Sequence, residues 1–200
     1  SQNQFEVPSI CIIGFDITSP KIPETPPFKK RKMEGVTFSS QSDPSSDSDE
    51  IRWRDLELLL RRTSPLVHPA FEPSERNGKF IREACRILVI GAGGLGCELL
   101  KDLALVGFGN IDVIDLDIID VTNLNRQFLF RRSDVGKSKA VVAAEFIMKR
   151  VNGVTVTAHM ANIMDFDASF YRQFHIIVAG LDSIDARRWL NAFLVNLVQH

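Results

Sequence analysis

Arg86-Ile87-Leu88-Val89-Ile90-Gly91-Ala92-Gly93-Gly94-Leu95-Gly96 decides how this chain is read. A short apolar strand runs into a turn with glycine at 91, 93, 94 and 96, and a helix is expected to follow over Glu98–Val106. Glycine closes such a turn tightly and lets backbone N–H groups approach a phosphate with no side chain in the way. The positive end of the helix dipole then faces the anion. Strand, turn and helix together point to a nucleotide site, without choosing the nucleotide.

Working outward, the pattern alternates. Ile111–Asp115, Val154–Met160 and His175–Ala179 read as further strands. Lys137–Val151 and Asp185–Val198 read as helices, the second with Trp189, Leu190, Phe193, Leu194 and Leu197 as its apolar stripe. Alternation of this kind predicts an α/β fold, Rossmann-like, with a mostly parallel sheet and helices on both faces. Four such strands leave a sheet without its second half, so the chain reads as the N-terminal part of a larger domain that His200 cuts short. Ahead of it, Trp53, Leu56, Leu59 and Leu60 recur at helical spacing, with Arg61 and Arg62 expected in the last turn and Pro65 as the stop. A second short helix is expected over Glu75–Ala84, which makes 51–84 a helical lead-in. Residues 1–50 carry scattered prolines and the serine- and aspartate-rich stretch from Ser39 to Glu50, and are expected to form a disordered tail. Lys29-Lys30-Arg31-Lys32 reads first as a solvated charge run and second as a nuclear import signal.

Composition sets bounds. The 200 residues are 44% hydrophobic and 24% charged, which describes a chain able to bury a core. A net charge of −1 gives no electrostatic case for nucleic acid or a membrane surface. No apolar run approaches a membrane span, and Ser1 does not open a secretory signal. The three cysteines, Cys11, Cys85 and Cys97, show neither zinc spacing nor a disulfide framework, which favours a reducing compartment, cytoplasmic or nuclear.

The chemistry lies after the second strand. Asp115 follows Gly96 at the distance where a carboxylate accepts hydrogen bonds from ribose hydroxyls, for NAD, FAD or ATP alike. A polar insert then runs from Asp117 to Phe130 and offers Asn123, Asn125, Arg126 and Gln127. Lys139 opens the next helix, and Asp182 follows the fourth strand. Two cations and an acid around a phosphate site suit phosphoryl or nucleotidyl transfer, because cations offset charge on a departing pyrophosphate and the acid can hold magnesium. Blander roles exist for each: a surface ion pair for Arg126, a helix-start lysine for Lys139, a helix cap for Asp182. Gly136-Lys137-Ser138 imitates the end of a P-loop, but Arg131 stands where that motif needs glycine.

The set Gly91-x-Gly93-Gly94-x-Gly96, Asp115-x-Asp117, Asn123-Leu124-Asn125-Arg126-Gln127, Lys139 and Asp182 resembles the adenylation domain of ubiquitin-like-protein activating enzymes. Bacterial molybdopterin- and thiamine-pathway adenylyltransferases share it. The resemblance runs from about Arg52 to the end, and makes 85–200 the N-terminal part of an ATP-binding adenylation domain. It implies ATP and magnesium over the glycine turn, ribose contact by Asp115 and phosphate contacts by Arg126 and Lys139, the two expected catalytic residues. It further implies nucleotide contacts from Gly91, Gly93, Gly94, Gly96, Asp117, Asn123, Asn125 and Gln127, with Asp182 on the metal. The implied reaction is ATP-dependent adenylation of the C-terminal carboxylate of a ubiquitin-like modifier by the catalytic half of a heterodimer. Its partners are a regulatory subunit, the modifier and a downstream conjugating enzyme. Segments outside the motif, His68–Ser74 and Phe170–His175, weigh against a sulfur-carrier or ubiquitin adenylating enzyme of the same fold. A non-catalytic scaffold fragment and a nicotinamide or flavin oxidoreductase are the other readings. In that family the thioester-forming cysteine and the zinc cysteines lie further downstream. Cys97 is expected to be buried filler behind the glycine turn.

Overall fold

The computed structural model describes the backbone of Cys11–Ile13, Val36–Ser39 and residues 46–199, and side chains from Trp53 onward. Its centre is the strand that opens the glycine turn, β3 (Arg86–Ile90). Ile87, Leu88, Val89 and Ile90 are fully buried, so side chains on both faces of the strand meet protein, as expected of a central parallel strand. β4 (Asn110–Ile114) lies parallel on one side of β3, with β5 (Thr155–His159) beyond it, and β6 (Ile176–Ala179) lies parallel on the other side. Two short strands flank this core: β1 (Cys11–Ile13) beside β6, and β2 (Val36–Ser39), antiparallel, beside β5. The order is therefore β1-β6-β3-β4-β5-β2.

Helices cover both faces. α3 (Gly94–Val106) and α4 (Lys139–Arg150) enclose a core of Ile87, Val89, Leu100, Ile111, Val113, Ile147 and Val156. On the other face α5 (Ala168–Tyr171) and α6 (Ile184–Gln199) bring Tyr171, Phe174, Leu190 and Leu194 against Leu88, Ile90, Ile114 and Ile177. Each such fully buried side chain contributes roughly 1.5–3 kcal/mol, which is why the period-2 and period-3.6 patterns decide the layers. Since β4 and β5 extend to one side of β3 and β6 to the other, the order reverses between β3 and β6. Open α/β sheets bind ligands in the crevice outside the carboxyl ends of the strands at such a reversal.

The expected α/β architecture is the observed one, with shifted boundaries. α3 begins at Gly94 rather than Glu98, because the glycines themselves form its first turn. The lead-in contains α1 (Ser46–Leu60) and α2 (Glu75–Lys79), and α2 continues as a π-helical turn over Phe80–Ala84. α1 starts before Ile51 and ends at Leu60, so Arg61 and Arg62 lie past it and Pro65 is not its terminator. Arg61 is instead drawn off to Glu57 and Glu75, at 2.9 and 3.2 Å. The expected tail over 1–50, with Cys11 in the edge strand and the 29–32 basic cluster, lies largely outside the described residues. Among the described residues no helix is long and apolar enough to cross a membrane.

Candidate nucleotide site

The glycine turn leaves β3 at the reversal point. Gly91 adopts φ +96°, and a Cβ there would lie 2.9 Å from the Gly180 carbonyl oxygen. Gly96 is packed harder: its Cβ would lie 1.8 Å from the Gly91 carbonyl oxygen. These two glycines therefore let α3, β3 and the loop after β6 converge. Backbone bonds fix the turn to its neighbours, Gly91 N–H to Ile114 O at the end of β4 and Gly180 N–H to Ile90 O at the end of β3, both at 2.8 Å. Gly93 serves differently. It is the N-cap of α3, no side chain caps the helix there, and a Cβ would meet no atom within 4 Å. The first N–H groups of a helix point outward and carry its positive dipole end. Helix N-termini of this kind are where anions bind.

Asp115, just past β4, is held against this turn. Its Oδ2 accepts from Ala92 N–H at 2.5 Å and its Oδ1 from Asp117 N–H at 2.8 Å. Burial raises its carboxyl above the ordinary aspartate value, although both donors and Lys139 pull the other way. Lys139, at the start of α4, is buried, and its Nζ meets Asp117 Oδ2 at 2.8 Å. The polar insert folds back so that the Arg126 carbonyl would touch a Cβ on Gly94 at 3.2 Å. The exposed guanidinium of Arg126 donates to Thr122 O at 2.9 Å and Asn125 Oδ1 at 3.3 Å, and among the described residues it forms no ion pair.

The remaining expected residues divide. Asn125 is exposed beside Arg126, whereas Asn123 and Gln127 are buried. Asn123 accepts the Asp120 N–H through its Oδ1 and so shapes the insert; among the described residues Gln127 Oε1 has no hydrogen-bond partner. Asp182 is exposed, in the loop after β6, and among the described residues its carboxylate makes no hydrogen bond. Ser183, not Asp182, caps α6: its hydroxyl accepts from Ala186 N–H at 3.4 Å and its carbonyl from Arg187 N–H at 3.1 Å. The cap role weighed for Asp182 is thereby excluded, since the N-cap falls one residue later. Arg187 donates from Nε to the Leu181 carbonyl at 2.6 Å and fastens the loop that presents Asp182. Sequence reasoning missed Arg187, yet a cation in the first turn of a helix opposes the dipole and signals a specific partner.

It also missed a buried acid in the sheet and its two partners. Asp112 of β4 accepts from Arg86 Nη2 at 3.2 Å and faces His159 Nε2 at 2.8 Å. The signal was an acid inside the apolar run Ile111–Ile114. Cys97 is buried behind the turn, and burial pushes its thiol up to about 12; burial likewise pushes Cys85 to about 11. Both are therefore protonated and unreactive near neutrality, as packing residues should be. A cavity of about 820 Å³ opens at the opposite, amino-terminal end of the strands, between Trp53, Arg61, Arg82 and Phe108. It shares no residue with the glycine turn.

An uncapped glycine turn, the half-buried Asp115, the buried Lys139 and the exposed Asp182 thus gather around the carboxyl ends of the strands, where open α/β sheets take their ligands. The model of the ThiF family matches residues 71–199, and the chain belongs to that family. Its sequence is similar to NEDD8-activating enzyme E1 catalytic subunits. The protein of Dictyostelium discoideum is 60% identical over 151 residues, covering 74% of this chain and 34% of that protein. The one of Drosophila melanogaster is 55% identical over 149 residues, with 74% and 33% covered. Crystal structures of E. coli MccB, one described with ATP, superpose with a TM-score of 0.52 at 31% identity, over 60% of this chain and 36% of that one. The chain thus spans about a third of the length of the curated relatives it matches.

Proposed function

We propose that the full-length protein is the catalytic subunit of a NEDD8-activating enzyme and uses this site to adenylate the modifier's C-terminal carboxylate with ATP. The observation that carries the reading is the open, uncapped N-terminus of α3 over Gly93, flanked by Asp115 and Lys139. Likeness to NEDD8-activating relatives supports the choice of modifier, and the ATP of the MccB structure supports the nucleotide. A SUMO-activating enzyme subunit 2 of Dictyostelium discoideum matches less, at 50% over 117 residues.

In this reading the phosphates lie on the N–H groups that follow Gly93. Asp115 accepts from the ribose hydroxyls with the lone pairs that Ala92 and Asp117 leave unused. A carboxylate oxygen of the modifier attacks the α-phosphorus, the bond to the bridging oxygen of pyrophosphate breaks, and an acyl-adenylate and pyrophosphate result. Arg126 and Lys139 offset the charge that gathers on the leaving pyrophosphate, the contribution expected of preorganised cations. Asp182, with no hydrogen bond to satisfy it, fits a magnesium ion, which typically takes one or two carboxylates beside substrate phosphates. Magnesium bound there would polarise phosphoryl oxygens. The remaining nucleotide contacts assigned to Asn125 and Gln127 belong to the same proposal. So do the regulatory subunit, thioester formation on a downstream cysteine, transfer to a conjugating enzyme and a cytoplasmic and nuclear location.

The test is exchange of labelled pyrophosphate into ATP by the full-length protein with its regulatory subunit. Exchange is expected only when the modifier is added, and Asp182→Ala should abolish it while dimerisation persists. Exchange independent of the modifier, or none with wild type, overturns the reading.

A further inference from the structure

Asp117 stands in the exposed stretch after β4, yet three of its groups are engaged. Its N–H donates to Asp115 Oδ1 at 2.8 Å, its carbonyl accepts the Lys139 N–H at 3.0 Å, and its carboxylate holds Lys139 Nζ at 2.8 Å. The next residues continue the contact. Ile118 bridges Ser138, Ile119 N–H donates to Lys137 O at 2.8 Å, and Gly136 N–H donates to Ile119 O at 2.9 Å. A short antiparallel clasp thus fixes the loop after β4 to the start of α4, and Asp117 is its first rung.

Lys139 needs such a partner for two reasons. Its side chain is 9% exposed, and an ammonium that deep is costly unless paired. It also sits in the first turn of α4, where the helix dipole opposes a cation. A free lysine side chain samples many rotamers, so a partner that holds Nζ in place removes that entropic cost before substrate arrives. The Asp117 side chain is itself 67% exposed, so an incoming phosphate can share the ammonium without first expelling a buried group.

We infer that Asp117 is a positioning residue, which holds Lys139 ready for the phosphates and locks the ribose acid Asp115 in register with it. This inference rests on the adenylation reading and gives Asp117 a part that acts through its two neighbours. Asp117→Asn keeps the backbone rungs and removes only the ion pair. In the full-length heterodimer it is expected to lower kcat for modifier-dependent pyrophosphate exchange about tenfold or more, since displacement of a catalytic group by ~1 Å can cost 10²-fold. KM for ATP should change less than about threefold, because binding shared by ground and transition state is retained.

A double-mutant cycle with Lys139→Gln isolates the coupling. If Asp117 works through Lys139, adding Asp117→Asn to Lys139→Gln costs nothing further, and the preference for ATP over 2′-deoxy-ATP stays at its wild-type value. Additive losses overturn the inference, because a merely structural Asp117 would give them. A changed ATP to 2′-deoxy-ATP preference also overturns it and places Asp117 on the ribose. Full exchange by Lys139→Gln removes the lysine's role and this inference while adenylation stands. No modifier-dependent exchange by wild type removes both.

Discussion

Gly96 and Gly93 lie three residues apart in one turn, and the structure assigns them opposite sensitivities. A Cβ on Gly96 would sit 1.8 Å from the Gly91 carbonyl oxygen and 2.7 Å from its carbon. Restoring an ordinary 3.4 Å contact needs main chain to part by about 1.6 Å at the point where α3 docks on β3. Overpacking against main chain costs about 3 kcal/mol. Replacing glycine within a helix returns at most ~1 kcal/mol of propensity, so Gly96→Ala should destabilise by about 2 kcal/mol. In a domain of this size that lowers Tm by roughly 4–8 °C. At Gly93 the backbone is ordinary, φ −76°, and a Cβ meets nothing. Loss of the glycine cap costs about 1 kcal/mol or less, so Gly93→Ala should keep Tm within a few degrees of wild type. Its methyl instead occupies the open space above the first N–H groups of α3, and ATP affinity should fall at least about tenfold, which is ~1.4 kcal/mol. Scanning fluorimetry and equilibrium ATP titration on the full-length protein with its regulatory subunit separate the two effects. Wild-type ATP affinity in a folded Gly93→Ala protein would refute the placement of the phosphates. A wild-type Tm for Gly96→Ala would refute the packing argument.

Three further outcomes follow from the same geometry. Asp112→Ala strips both Arg86 and His159 of a buried partner and should cost about 2–4 kcal/mol, at the lower end because Arg86 reaches solvent; the shift of the urea midpoint measures it. Asp115 has a raised carboxyl in the folded state, so folded protein holds the proton after unfolded chain, near pH ~3.9, has lost it. Its contribution to stability should therefore decline as pH rises through that window and level off above the raised value. Unfolding midpoints of Asp115→Asn should lack that component, and an identical slope in the variant would contradict it. Iodoacetamide at neutral pH should leave Cys85 and Cys97 unmodified in native protein and alkylate both in denaturant, read by mass spectrometry; rapid native labelling of Cys97 would contradict its burial.

What the sequence made legible was whatever depends on local spacing. Apolar runs at period 2 and 3.6 gave the central strands and their helices, because each must bury one face or both. The glycine turn was legible because close approach leaves no other residue type, and Gly96 against Gly91 shows how literally that holds. Asp115 and Lys139 were legible as residues at the ends of elements. The pairing of Lys139 with Asp117 was not, since the two are 22 positions apart and meet through the clasp between residues 117–119 and 136–139. The same limit hid Asp112 and His159, 47 positions apart on neighbouring strands. The end of α1 was misplaced where Arg61 found a partner outside that helix, Glu75, and the start of α3 where the glycines themselves form its first turn.

The site therefore divides into parts of different origin. In the adenylation reading proposed above, the anion-binding half is main chain, N–H groups and a dipole, in a turn that the close packing of Gly91 and Gly96 shapes. In the same reading its cationic half is side chain, where Asp117 pairs with an ammonium that burial and the dipole of α4 both oppose. Substitution at Gly93 should then act on whether nucleotide binds at all, and changes along the Asp117–Lys139 pair on how fast bound nucleotide reacts. A protein that used this fold only to hold a nucleotide would need the first set and tolerate loss of the second. Separation of binding from turnover along that line is what distinguishes an adenylating enzyme from a nucleotide-binding scaffold here.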